Sequence, residues 1–216
     1  MTDKLDAEIG HELAKKLDGF KYRRTDSCLI RRKETGWQAI FVSAIRRRPD
    51  GTAKLSAHAH VHLRVLEEIY CRYNPLISDF RKHATLVENC DQLIGNSQLI
   101  HSFRTEEEHR VSFLAAYANA LHSDVVPWLE KYSDKEAVFQ GLVADDPLKR
   151  VTSDALRHYP VLLTIFAMRG DWQAFERIAD EFLAYCDKPY GAVHRPLAMA
   201  TINGLRSDLG GPAPTS

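Results

Sequence analysis

The chain predicts an α+β fold: an N-terminal helix, an antiparallel meander of four to six strands, and a helical C-terminal part carrying a Gly-Asp helix hairpin. Three observations predict it. Runs rich in aromatic and branched residues follow one another between residues 20 and 64, each closed by turn residues. Residues 52–64 alternate strictly between apolar and polar side chains. From residue 105 onward the apolar spacing changes to that of helices.

Residues 3–18 are expected to be helical. Leu5, Ile9, Leu13 and Leu17 recur every four residues and Gly19 ends the pattern. Residues 20–24 form the first strand, and Thr25, Asp26 and Ser27 the turn after it. Residues 28–33 form the second, closed by Glu34, Thr35 and Gly36. The third, residues 37–46, is apolar on both faces, with Trp37, Ala39, Phe41 and Ile45 on one and Ile40, Val42 and Ala44 on the other. That pattern suits a central strand, with Phe41 in the core. After Pro49, Asp50 and Gly51 comes the fourth strand, residues 52–64. Its apolar face is Ala53, Leu55, Ala57, Ala59, Val61 and Leu63, and its polar face carries Lys54, His58, His60 and His62.

A short helix is expected over residues 65–72, ending near Asn74 and Pro75. Residues 85–87 and 98–103 predict two further strands around a Gly95-Asn96 turn. Helices follow at residues 105–131, 134–144, 153–168, 171–186 and 192–207. Thr105 with Glu108, and Ser133 with Glu136, have capping-box spacing. Residues 159–186 look like one tetratricopeptide unit, but no second copy recurs at that repeat length, so a packed helix hairpin is expected. The whole is expected to be one domain, residues 1–208, with a sheet part at 19–104, a helical part at 105–208 and a flexible tail at 209–216.

Formal net charge is zero, which argues against a dedicated nucleic-acid or membrane binder. The distribution is uneven. Residues 19–64 hold eleven Lys and Arg against three Asp and Glu. The N-terminus lacks an apolar signal region, no apolar run can span a bilayer, and the four cysteines show no paired spacing. A cytoplasmic location with reduced thiols is the expectation.

The stretch AHAHVHL, residues 57–63, places His58, His60 and His62 on one strand face. Zinc can be held by histidines two apart on a strand. However, residues 52–64 contain no carboxylate to serve as base or further ligand. These histidines are therefore groove candidates on a polar face, and no metal or cofactor is expected. A metal-dependent hydrolase centred on them is an alternative reading. No nucleophile-elbow, phosphate-loop, zincin or dinucleotide-binding motif occurs, so no catalytic residue is assigned and the chain reads as a non-enzyme.

Basic runs at residues 21–24, 31–33 and 46–48 lie among Phe20, Tyr22 and Trp37. Such interleaving on a sheet can hold single-stranded nucleic acid, which is the second alternative. The submotifs of RNA-binding sheets are absent. The leading expectation is an acidic protein partner met by Arg23, Arg24, Arg31, Arg32, Arg46, Arg47 and Arg48.

The phrases CLIRRK, WQAIFVSAI, VVPWLEKYSDKEAVFQGL and AMRGDWQAFERIADEFL, in that order, resemble a family of bacterial α+β proteins grouped as a domain of unknown function. Some members of such groups look like immunity proteins, which neutralise a cognate toxin by binding it. The resemblance implies protein binding and brings no catalytic residue with it.

Overall fold

The computed structural model describes residues 4–45, 51–73, 79–95, 103–104, 106–144 and 155–211. The fold is α+β, as the patterning predicts. Its strands are β1 (Lys21–Arg23), β2 (Cys28–Lys33), β3 (Gly36–Ile45), β4 (Thr52–Leu63), β5 (Leu86–Asn89) and β6 (Phe103–Arg104). Strands β1 to β5 lie side by side in chain order, and β6 pairs with β4. The short turns after β1 and β2 leave only antiparallel pairing available. Tyr22 faces Leu29, which faces Ile40.

The helices are α1 (Lys4–Ala14), α2 (Arg64–Tyr70), α3 (Cys90–Leu93), α4 (Glu107–Ala120), α5 (Val126–Lys131), α6 (Lys135–Leu142), α7 (Ala155–Arg169), α8 (Trp172–Cys186) and α9 (Arg195–Leu209). Two compact units emerge. One comprises residues 1–61 and 87–134, the other residues 62–86 and 135–216. They do not follow the order of sheet first and helices second, because α1, α4 and α5 belong with the strands while α2 belongs with α6 to α9.

In the first unit, α1 packs against β1, β2 and β3 and against α4. Its buried residues Leu5, Ile9 and Leu13 are the ones its period predicts. The helix ends at Ala14, four residues early, and Gly19 at φ +78° turns the chain into β1. The apolar face of β4 is buried as expected: Ala53, Leu55, Ala57, Ala59, Val61 and Leu63 all lie in the core. Phe41 departs from expectation and is only half-buried, its ring lying 4.3 Å from that of His60.

The long helix expected over residues 105–131 is divided. Residues Leu121–Val125 form a π-helical turn between α4 and α5. Pro127 opens α5 and has no N–H to give to the preceding turn. The Val126 N–H reaches back to the Leu121 carbonyl, five residues away, and the extra residue is absorbed there. Of the two capping boxes, Thr105 lies outside the described residues. The Ser133 hydroxyl is otherwise engaged: it donates to the Leu129 carbonyl and accepts from Gln38.

In the second unit, α7, α8 and α9 pack against one another, and α2 and α6 pack on α7. The Gly-Asp hairpin forms as expected. Gly170 takes φ +69° and Asp171 caps α8 by accepting from the Ala174 N–H at 3.1 Å. Phe175, Ile178, Ala179, Phe182 and Cys186 are its buried stripe.

Candidate functional site

Cross-strand register sorts the basic and aromatic residues of the first unit onto two faces. Lys21 shares a cross-strand row with Ile30 and Ala39, Arg23 with Cys28 and Phe41, and Arg32 with Trp37. The intervening residues Tyr22, Leu29, Arg31, Gln38 and Ile40 occupy the opposite face.

That opposite face is covered by helices. The Tyr22 ring lies so close to α1 that a Cβ on Gly10 would sit 2.1 Å from it. Arg31 belongs here, and its chemistry is consumed internally. Its Nε and Nη2 donate to Gln38 Oε1 at 2.8 and 2.6 Å, Nη2 also lies 2.6 Å from Glu130, and the guanidinium stands 4.5 Å over the Phe20 ring. Lys33 meets the other Glu130 oxygen at 2.8 Å. Burial pushes the Glu130 carboxyl up, but the Lys33 hydrogen bond and the Arg31 charge outweigh it and hold it below its ordinary value. Gln38, wholly buried, donates to the Leu129 carbonyl and to Ser133 Oγ. No sequence motif marks Gln38; a polar residue in mid-strand between apolar neighbours is the only signal it leaves.

The other face is the more open of the two among the described residues. Lys21, Arg23 and Arg32 are exposed on it, around half-buried Ile30, Trp37 and Phe41, while the short Cys28 and Ala39 are buried. On β4 the same face includes His60, whose ring packs on Phe41, and exposed His58. No Asp or Glu stands among the residues of β2, β3 or β4. One acid is near: Asp26, in the turn after β1, forms an ion pair with Arg23. Arg24 is exposed in that same turn. Arg46, Arg47 and Arg48 follow β3 in the chain and lie outside the described residues. Of the expected partner-binding arginines, the three on β1 and β2 divide between the faces, with Arg23 and Arg32 on the more open one and Arg31 on the covered one.

The three histidines have three different environments. His58 is exposed, and the His60 ring packs on Phe41 at a tilt of 43°. His62 is buried, contrary to its expected place on a polar face, and its Nδ1 lies 2.5 Å from the His83 carbonyl. A carbonyl can only accept, so Nδ1 carries the hydrogen. Burial lowers the His62 pKa despite that bond. Among the described residues no group of three or more His, Cys, Asp and Glu is arranged to hold a metal ion.

A second polar cluster lies in the second unit. Glu67 is 1% exposed. The Thr85 hydroxyl bonds to its carboxyl and accepts from the Leu63 N–H at 2.8 Å. Cys71 Sγ stands 3.8 Å from its Oε2. Burial raises the Glu67 pKa, with the Arg157 charge opposing, and Arg157 also donates to the Ala84 carbonyl. The Cys71 thiol is pushed up to about 12, by burial first and then by Glu67, which disfavours the thiolate. Cys28 is likewise pushed up to about 11 by burial.

Among the described residues no helix is long and apolar enough to cross a membrane. Comparison with family models, curated proteins and solved structures finds no match to this chain.

Proposed function

We propose that this chain is a non-enzymatic binding module whose open sheet face docks an acidic protein. The observation that carries this reading is the composition of that face: exposed Lys21, Arg23 and Arg32 around half-buried Ile30, Trp37 and Phe41. A half-buried apolar centre with a charged rim is how protein interfaces are built. The one-sided charge selects a partner of opposite sign and speeds its encounter. Zero net charge over the whole chain favours a protein partner over a polyanion such as nucleic acid. Neutralising a cognate partner, in the manner of an immunity protein, is the narrower role that the family resemblance implies.

The test begins with capture from the native host on the full chain, followed by identification and reconstitution of the captured protein. Association is then measured at two salt concentrations for wild type and Arg23→Ser/Arg32→Ser. An acidic partner whose on-rate falls about ten-fold in the variant supports docking on this face. Binding indifferent to salt and to both arginines removes this face. Capture abolished by nuclease moves the reading to nucleic acid.

A further inference from the structure

The open face has a repeat as well as a charge. Register places one cation in each of three successive same-face rows: Arg23 in the row of Cys28 and Phe41, Lys21 in that of Ile30 and Ala39, and Arg32 in that of Trp37. Same-face rows on a strand are about 6.5–7 Å apart. Cations therefore run up one side of the face on β1 and β2, while Phe41, Ala39 and Trp37 run parallel to them along β3. A helical partner presents its side chains at intervals of three and four residues, each residue rising about 1.5 Å. An extended partner presents every second side chain at the spacing of these rows.

From this juxtaposition we infer that the element recognised is an extended acidic segment, with carboxylates at alternate positions facing Arg23, Lys21 and Arg32. The inference rests on the docking reading above and names the form of its partner. Asp26 already pairs with Arg23, so a ligand carboxylate at that row displaces or shares an existing contact. Lys21 and Arg32 carry no ion pair among the described residues, so they are the rows where a partner carboxylate gains most.

The experiment uses the full chain and two fluorescent peptides of identical composition. One has Asp at every second position with Thr and one Leu between; the other has the Asp residues in one block. Anisotropy titrations should show the alternating peptide binding at least ten-fold tighter. Lys21→Ser and Arg32→Ser should each remove most of that preference while leaving the melting temperature unchanged. Equal affinities for the two peptides would overturn the inference and leave acidic docking standing. So would failure of the alternating peptide to bind while the reconstituted host partner still depends on Arg23 and Arg32. A host partner that also ignores those arginines would instead remove the docking reading itself. A single-stranded oligonucleotide that displaces the alternating peptide at equal concentration and ionic strength would overturn both.

Discussion

The buried Gln38 side chain on β3 donates to the Leu129 carbonyl, at 2.9 Å, across ninety-one residues of chain. The same amide accepts two hydrogen bonds from Arg31, so one side chain holds the end of α5 and a guanidinium beneath it. Gln38→Ala removes one of two side-chain donors from the Leu129 carbonyl and one acceptor from Arg31, and should cost about 1–3 kcal/mol. A urea melt showing less than about 1 kcal/mol would mean that water replaces the amide at no cost.

Gly10 and Tyr22 form a close seat between α1 and β1. A methyl group at Gly10 meets the Tyr22 ring at 2.1 Å, so Gly10→Ala should destabilise by about 1–3 kcal/mol through overpacking. Trimming the ring should restore part of the loss. A double-mutant cycle with Tyr22→Leu measures this, and additive losses would show that strain is relieved elsewhere.

Phe41 is half-buried, with one contact face given to His60. Phe41→Ala should cost about 1–2 kcal/mol, below the 3–5 typical of a fully buried aromatic. A chemical melt decides between the two ranges. Since Phe41 also lies on the open face, the same variant should shorten the lifetime of the docked complex.

Glu67 and His62, both in the second unit, should make stability depend on pH with opposite signs. Glu67 has its pKa raised by burial, so its contribution is present below the unfolded value of about 4.3 and is lost as pH rises through the folded value. Wild type should therefore lose stability relative to Glu67→Gln as pH climbs from about 4 towards neutrality. A difference that stays flat across that interval would show the carboxyl to be solvated.

His62 works the other way. Its folded pKa is lowered by burial, so its contribution is present above the unfolded value of about 6.5 and is lost as pH falls through the folded one. His62→Asn should flatten the loss of stability between pH 7 and pH 5. Identical pH profiles for variant and wild type would place the acid sensitivity elsewhere, with His83 as the next candidate, its pKa also lowered by burial and by Arg157.

Local residue chemistry determined which segments are strands and helices and which side chains share a face. The alternation of β4 placed all six of its apolar residues in the core, and Gly170 with Asp171 announced the α7–α8 turn. These are short-range facts, set by a period of two, a period of 3.6, and the few residues that accept a positive φ or cap a helix. Tertiary structure decided which face a helix covers. Arg31 and Arg32 are neighbours of equal charge, yet one lies beside Glu130, ninety-nine residues ahead of it, and the other meets solvent. His58 and His62 share a strand face, yet one is exposed and the other is buried against the His83 carbonyl. Alternation divides a strand into two faces but does not name the covered one. That choice belongs to elements far along the chain, and it set Arg31 apart from Arg23 and Arg32, which the sequence had grouped as one surface.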